Sequence, residues 1–146
     1  MKVFKCPHCR GLIELSGIVD DIRDFHEKFG LPPEGDKHLP IELAEFRDDF
    51  LKEEALEFET ARENGDQEKM LDAVVDIVYV ALGTAYLAKW DFMEAWHRVH
   101  AANMQKVRRE TSTIKMVESG RPPKYDVVKP VGWEAPNLKD LVKENS

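Results

Sequence analysis

A glycine turn between two helical segments is the feature that most constrains the fold. Asn64-Gly65-Asp66 supplies a glycine that ends one helix and an aspartate that caps the next. Before it, apolar residues recur at helical spacing from Ile41 to about Arg62, and after it a long apolar segment continues to about Tyr86. The two segments predict an antiparallel helical hairpin.

Each arm of this hairpin carries a pair of carboxylates. Glu54 and Glu57 are three positions apart and Asp72 and Asp76 are four apart, so each pair projects from one side of a helix. In an antiparallel register Glu54 lies level with Asp76, and Glu57 lies at the level of Asp72 and Ala73. Four converging carboxylates would repel one another and lose hydration unless a cation were bound between them.

The expected cation is a hard one. Oxygen ligands suit Mg²⁺ or Mn²⁺, and Mg²⁺ usually keeps several waters and completes its shell with substrate phosphate. A solvated acidic surface is the alternative for any single pair of glutamates. Asp72 and Asp76, however, are embedded in an apolar segment, where an aspartate is rarely buried without a partner. We therefore predict a metal site formed by Glu54, Glu57, Asp72 and Asp76.

Composition excludes several classes of function. The chain has 146 residues, 42% of them hydrophobic, which is enough for one sizeable core. Its formal net charge of −7 argues against broad binding of nucleic acid through the phosphate backbone. No apolar run approaches the roughly 18 residues of a membrane span, and Met1–Cys6 has no hydrophobic signal region. We expect a cytoplasmic protein that binds neither nucleic acid nor a membrane.

Patterning divides the chain into three parts. The parts are a hairpin appendage over residues 1–16, an all-α core over 17–110, and an irregular tail over 111–146 that ends in a short helix over 137–144. Besides the hairpin, the core contains a first helix over about 18–29 and a fourth over about 92–108. The expected fold class is all-α, with four helices forming a bundle.

The appendage carries the two cysteines of the chain. Cys6-Pro-His-Cys9 has the shape of half a zinc ribbon, and structural zinc normally takes four ligands. Either a histidine (His8, His26 or His38) or the cysteines of a second chain would have to complete a Zn²⁺ site. The alternative is a degenerate knuckle with free thiols, and the sequence leaves both open.

The acidic motifs resemble those of a known enzyme superfamily. Glu53-Glu54-x-x-Glu57 and Asp72-x-x-x-Asp76, followed after two residues by Tyr79-Val-Ala-Leu-Gly-Thr-Ala, are similar to the all-α, MazG-like nucleoside triphosphate pyrophosphohydrolases. These include dimeric dUTPases, dCTP pyrophosphatases and phosphoribosyl-ATP pyrophosphohydrolase. The likeness covers about residues 18–108. One departure is that the family usually has Glu-x-x-Asp in the second cluster, whereas Ala73 stands at that glutamate position, so we expect Asp72 to take its place.

The resemblance extends beyond the hairpin. Asn103-Met-Gln-Lys106 is similar to the Asn-x-x-Lys of the last core helix in the family, and the tail around Trp133 is similar to tails of phage and bacterial members. Helical spacing would put Asn103 and Lys106 on one face with His100, pointing toward the phosphates. Asn103, Lys106 and Trp133 are thus candidates for substrate binding, although Trp133 would equally serve to cover the core.

The resemblance implies a reaction and an assembly. The reaction is hydrolysis of a nucleoside or deoxynucleoside triphosphate to the monophosphate and pyrophosphate, with roughly two or three Mg²⁺ or Mn²⁺ ions at the four carboxylates. Glu53 is the candidate to orient the attacking water or to take its proton. Family members form dimers or tetramers, and apolar residues on more than one face of the third helix also predict a homodimer or homotetramer. The cytoplasm would be bacterial, or that of a host if the protein is encoded by a phage.

Two other functions remain open at this stage. One is the phosphoribosyl-ATP reaction of histidine biosynthesis. The other is a non-catalytic adaptor, in which a zinc knuckle and a dimerising hairpin bind a partner. Only the adaptor would tolerate the loss of Asp76, because it hydrolyses nothing.

Overall fold

A computed structural model describes residues 4–5, 12–13, 15–109 and 121–143 of the chain. Most of these residues belong to four helices, α1 (Leu15–Lys28), α2 (Ile41–Glu63), α3 (Gln67–Leu87) and α4 (Phe92–Asn103). Two antiparallel strand pairs are very short: β1 (Phe4–Lys5) with β2 (Leu12–Ile13), and β3 (Val107–Arg108) with β4 (Val127–Val128). The predicted all-α class is confirmed.

The N-terminal strands pair as a hairpin, with Phe4 opposite Ile13 and Lys5 opposite Leu12. This pairing confirms the hairpin expected in the appendage. Cys6 and Cys9 lie outside the described residues, so the zinc site at these cysteines stays a prediction.

α2 and α3 form the predicted antiparallel hairpin, and α1 also packs against α3. At the turn, Gly65 has a φ of +67°, a left-handed conformation that glycine adopts without steric cost. The backbone N–H of Lys69 donates to Oδ1 of Asp66 at 3.0 Å and so caps α3. Buried alanines on both helices, Ala61 and Ala73, leave room for close packing between them.

The loop between α1 and α2 is tied to the end of α3. The backbone N–H groups of Glu34 and Gly35 both donate to the carbonyl oxygen of Leu87, at 3.2 and 2.9 Å. A Cβ atom on Gly35 would overlap the carbonyl oxygen of His38 and lie 2.8 Å from the Cα of Ala88. Because both neighbours are backbone atoms, this close approach requires glycine.

The chain divides into two compact units, Met1–Trp90 with Lys143–Ser146, and Asp91–Val142. The second unit contains α4, which Asp91 caps by accepting a hydrogen bond from the N–H of Glu94 at 3.0 Å. α4 ends at Asn103, so the prediction that it continues to Arg108 is wrong. The reason is that Val107–Arg108 pairs with Val127–Val128, which gives its backbone groups partners outside the helix.

The predicted terminal helix over 137–144 is reduced to a single 3₁₀ turn, Lys139–Leu141, within the described residues 137–143. A second 3₁₀ turn, Pro123–Tyr125, lies earlier in the tail. The tail is instead fixed by Arg98, whose Nη1 and Nη2 donate to the two carboxylate oxygens of Asp140 at 2.6 and 2.9 Å. Nη1 also donates to the carbonyl oxygen of Asn137 at 2.9 Å. A bidentate contact of this kind sets the chain direction without a helix.

α3 is more apolar than we expected from the sequence, which predicted no run long enough to span a membrane. It is 21 residues long, and its most apolar stretch has a mean hydropathy of 1.6, which passes the test for a membrane span by length and composition. The expectation that no run approaches a span is therefore wrong on that test. Core helices of soluble proteins pass it too, although only 33% of this stretch is buried within the chain. Four large apolar side chains at helical spacing are exposed on α3: Leu71, Val74, Val75 and Val78.

Candidate active site

Arg47 shows how α2 and α3 are aligned. Its Nε donates to Oγ1 of Thr84 at 3.0 Å, and its Nη2 donates to the carbonyl oxygen of Val80 at 2.6 Å. Glu54 lies two turns, or about 10.5 Å, further along α2, and Asp76 lies one to two turns back along α3. These contacts place Glu54 level with Asp76, in the register expected from the sequence.

Glu54 is the most buried carboxylate of the two acidic clusters. Its side chain is buried. Among the described residues, Oε2 of Glu54 is the one solvent-inaccessible side-chain N or O atom that has no hydrogen-bond partner. Burial raises the pKa of Glu54, and the negative charge of Asp76 raises it further, followed by Glu57, Glu53 and Asp72. A buried acceptor that lacks a donor and faces like charges is a position that a bound cation would satisfy.

The other carboxylates separate into two groups. Asp76 is half-buried and lines a cavity of about 550 Å³ together with Glu54. Glu53, Glu57 and Asp72 are exposed and line another cavity, of about 610 Å³, nearer the turn. Within the described ranges, no three His, Cys, Asp or Glu side chains are grouped closely enough to hold a metal ion as they stand.

Ala73, rather than Asp72, takes the inward position on α3. Ala73 is 1% exposed, whereas Asp72 is exposed. Neighbouring helical residues point about 100° apart, so the two side chains leave the helix in different directions. The expected substitution of Asp72 for the missing glutamate stays a prediction, and Asp72 would act from the side of Glu53 and Glu57.

The donor chemistry of these residues, though not yet their grouping, suits a hard divalent cation. The donors on offer are carboxylate oxygens, which are the ligands that Mg²⁺ and Mn²⁺ prefer. The unpartnered Oε2 of Glu54 supplies the one donor that is already desolvated.

The candidates for substrate binding lie in the second unit. Asn103 is the last residue of α4, and Lys106 lies beyond its end, so the expected helical face shared by His100, Asn103 and Lys106 is wrong for Lys106. The backbone N–H of Lys106 donates to the carbonyl oxygen of Asn103 at 3.1 Å. The Nζ of Lys106 lies 5.6 Å from the centre of the Trp133 ring. These three residues form one local group.

Trp133 is held in place at the end of α4. Its Nε1 donates to the carbonyl oxygen of Ala102 at 2.7 Å, and the Nζ of Lys129 lies 4.5 Å from its ring centre. Two ammonium groups therefore lie near the ring, which favours cation–π contacts at Trp133.

Two buried polar residues were missed by reasoning from the sequence. Arg47 is 7% exposed and His26 is 3% exposed, and both line the cavity that contains Glu54 and Asp76. For Arg47 the sequence held a signal, because residues seven apart on a helix share a face and Arg47 precedes Glu54 by seven. For His26 it held none, because its burial depends on contacts made with α3.

The all-α hairpin with its two acidic clusters belongs to the class of MazG-like all-α nucleoside triphosphate pyrophosphohydrolases, as a family match shows. A family model described as phosphoribosyl-ATP pyrophosphohydrolase matches residues 22–103, and the chain belongs to that family. The match spans both acidic clusters and ends at Asn103. The clusters consist of Glu53, Glu54, Glu57, Asp72 and Asp76. None of the curated proteins compared with the chain matches it.

Membership of this family confirms the resemblance found in the sequence. It indicates a pyrophosphohydrolase enzyme that acts on a nucleotide-like substrate. The family thus favours an enzyme over the non-catalytic adaptor.

Proposed function

We propose that this protein hydrolyses a nucleoside or deoxynucleoside triphosphate to the monophosphate and pyrophosphate in a Mg²⁺-dependent reaction. Glu54 carries the proposal, because it is buried, has an oxygen without a partner and lies level with Asp76. A purely structural position would not be expected to keep a carboxylate in this state, since an uncompensated buried charge is strongly unfavourable.

Glu54 and Asp76 would hold the divalent cation, with Glu57 and Asp72 as further oxygen donors. A cation bound there would neutralise charge on the phosphate oxygens and lower the pKa of a coordinated water. Glu53 is exposed and lines the cavity that also contains Glu57 and Asp72. From that position Glu53 would accept the proton that the attacking water loses as its oxygen bonds to phosphorus. The water attacks either the α- or the β-phosphorus, and the bond from that phosphorus to the oxygen bridging the two breaks. The products are the monophosphate and pyrophosphate.

Asn103 and Lys106 would bind the charged end of the substrate. The Lys106 ammonium would make charge-assisted hydrogen bonds to phosphate oxygens, and the Asn103 amide would donate to a phosphate or to the sugar. The contacts of Trp133 with Ala102 and with Lys106 support a role in positioning that lysine.

The second candidate is hydrolysis of phosphoribosyl-ATP, which the description of the matching family favours. It breaks the same type of phosphate–phosphate bond, so the carboxylates would act alike in both reactions. The two candidates differ in what the rest of the site must accommodate.

The test is pyrophosphate release with Mg²⁺ from each common NTP and dNTP and from phosphoribosyl-ATP. Wild type is compared with Glu54→Gln, Asp76→Asn and the control Glu59→Gln, which alters an exposed glutamate on the same helix. We expect one or a few substrates to be hydrolysed, with at least about a 100-fold loss in the first two variants and little change in the control. Turnover of phosphoribosyl-ATP alone would establish the second candidate, and no release from any substrate would contradict both.

We also propose that the protein is a homodimer or homotetramer. The exposed face of α3 formed by Leu71, Val74, Val75 and Val78 supports this, with side chains 65%, 44%, 53% and 47% exposed. A contiguous apolar helix face of this kind is seldom left in water.

A further inference from the structure

The cavity that contains Glu54 and Asp76 has aromatic walls. Phe25 and Tyr79 meet edge to face with ring centres 5.4 Å apart, and Phe46 and Phe50 lie 5.9 Å apart. Phe46 remains 58% exposed, which a well-packed core would not leave. A cavity of about 550 Å³ with aromatic walls and a few polar groups has the character of a small-molecule site.

Arg47 is a buried cation with unused donors in this cavity. No described residue forms an ion pair with it, and its guanidinium lies 5.4 Å from the ring centre of Phe50. Nε and Nη2 are hydrogen-bonded to α3, which leaves Nη1 without a partner among the described residues. Nη1 is not shut off from solvent, so it can reach the open space of the cavity. The free edge of the guanidinium therefore offers two parallel N–H donors, one from each Nη atom.

His26 adds a single acceptor next to this donor pair. Its Nδ1 lies 2.8 Å from the carbonyl oxygen of Ile22 and must donate to it, because a carbonyl only accepts. In the neutral ring Nε2 is then an acceptor, and no described residue hydrogen-bonds to it. A Cβ on Gly83 would lie 2.9 Å from Nη2 of Arg47 and 3.5 Å from Nε2 of His26, so both groups border the same position on α3.

The separation between these groups and the carboxylates suits a nucleotide. Arg47 and Glu54 are seven residues apart on α2, and Asp76 and Gly83 are seven apart on α3, which is about 10.5 Å along each helix. That length is comparable with the span from the α-phosphate of a nucleotide to the far edge of its base. With the phosphates at Glu54 and Asp76, the base would lie among the aromatic side chains, and its edge would reach Arg47 and His26.

We propose that this cavity binds the substrate base and that Arg47 and His26 select bases with two adjacent acceptors followed by a donor, namely cytosine and guanine. Cytosine presents O2, N3 and the N4 amine in this order, and guanine presents N7, O6 and N1–H. Uracil and thymine alternate acceptor, donor and acceptor, and adenine has its amine between N7 and N1. The proposal rests on the proposed function for its substrate, and it disfavours phosphoribosyl-ATP, whose base derives from adenine.

The first test compares kcat/KM for CTP, dCTP, GTP, dGTP, ATP, UTP and dTTP with Mg²⁺. For wild type we expect at least about a tenfold preference for cytosine or guanine nucleotides. Arg47→Lys keeps the charge but removes the paired donors, so it should reduce this preference at least tenfold. The control is Arg62→Lys on an exposed part of α2, which should leave the preference unchanged. A wild-type preference for adenine, uracil or thymine, or an equal loss on all substrates in Arg47→Lys, would overturn the proposal.

A second variant covers the case in which Arg47→Lys fails to fold. Gly83→Ala adds a methyl group that displaces the ends of Arg47 and His26 and leaves every carboxylate intact. It should reduce the base preference at least tenfold while pyrophosphate is still released. An unchanged preference in folded Gly83→Ala would contradict the proposal.

Binding of CMP, GMP, AMP and UMP to metal-free wild type separates this inference from the proposed function. Calorimetry needs no turnover, so tighter binding of CMP or GMP, reduced in Gly83→Ala, would support the base site even if no triphosphate were hydrolysed. Hydrolysis without base preference, together with equal binding of all four monophosphates, would leave the proposed function standing and refute the base site.

Discussion

The Nη2 of Arg47 donates a 2.6 Å hydrogen bond to the main-chain carbonyl of Val80, across the hairpin from α2 to α3. The same carbonyl accepts a hydrogen bond from Oγ1 of Thr84 at 2.8 Å. A buried side chain that bonds to backbone of a neighbouring helix fixes their relative position along the axis. Arg47 therefore adds to the contacts that hold Glu54 level with Asp76.

Without metal, wild type should be less stable at neutral pH than Glu54→Gln, in which an uncharged amide replaces the carboxylate. Burial and then Asp76 raise the pKa of Glu54 above the ordinary value of 4.5, so the folded state holds this proton more tightly than the unfolded state. The stabilising contribution is complete below the unfolded-state pKa and is lost as pH rises through the folded-state pKa. In EDTA, Glu54→Gln should raise the free energy of unfolding at neutral pH by about 1 kcal/mol.

Urea unfolding at several pH values measures this effect. The gain from Glu54→Gln should grow as pH rises from 4.5, and added Mg²⁺ should stabilise wild type more than the variant. Glu59→Gln serves as the control, because Glu59 is exposed and lies outside the acidic clusters. A metal-free Glu54→Gln protein that is less stable than wild type at neutral pH would refute the prediction.

Asp72 should contribute less to turnover than Asp76. Asp72 is exposed beside the buried Ala73, whereas Asp76 is half-buried and shares a cavity with Glu54. We expect at least about a 100-fold loss of kcat/KM for Asp76→Asn and a loss of about tenfold or less for Asp72→Asn. Equal losses in steady-state assays at saturating Mg²⁺ would show that Asp72 is a full equivalent of the missing glutamate.

Gly35 and Gly17 should respond in opposite ways to alanine. A Cβ on Gly35 meets backbone atoms of His38 and Ala88, so Gly35→Ala should lower the free energy of unfolding by about 2–3 kcal/mol. Gly17 lies in α1 with nothing within 4 Å of its Cβ position, and Gly17→Ala should raise that free energy by about 0.5–1 kcal/mol. Thermal and urea unfolding of both variants checks the pair, and a tolerated Gly35→Ala would be inconsistent with the loop packing.

A charge on the exposed face of α3 should break up the proposed oligomer. Val75 is 53% exposed in the single chain, and Val75→Asp would put a carboxylate into the proposed apolar contact between subunits. Light scattering after gel filtration should report a lower mass for this variant. Val131→Asp is the matched control, since Val131 is 82% exposed in the tail and should leave the mass unchanged. A monomeric wild type would rule out the proposed assembly.

The sequence predicted the hairpin well because its signals are local. The Asn64–Asp66 turn and the helical spacing of apolar residues determine where α2 and α3 begin and end, and the register follows from the turn. The end of α4 was misplaced because Val107 pairs with Val128, a distant residue whose partner no local pattern reveals. The tail was misread for a similar reason, since Arg98 and Asp140 are 42 residues apart.

The carboxylates of the candidate site were predicted because their spacing is visible within each helix. The buried state of Arg47 and His26 was not, because it arises from α1, α2 and α3 packing together, and neither residue type is usually buried. Whether a polar residue at an inward position finds a partner depends on the neighbouring helix. Thr84 and the Val80 carbonyl provide that partner for Arg47.

The seven-residue spacing from Arg47 to Glu54 limits how this part of the gene can change in length. Deleting or inserting one codon between them would turn Glu54 by about 100° about the helix axis and move it out of the cavity. Gains or losses of three or four codons would keep both side chains on the same side, each step altering their separation by about 5 Å. Insertions and deletions in this stretch of α2 should therefore be tolerated only in units of a whole helical turn.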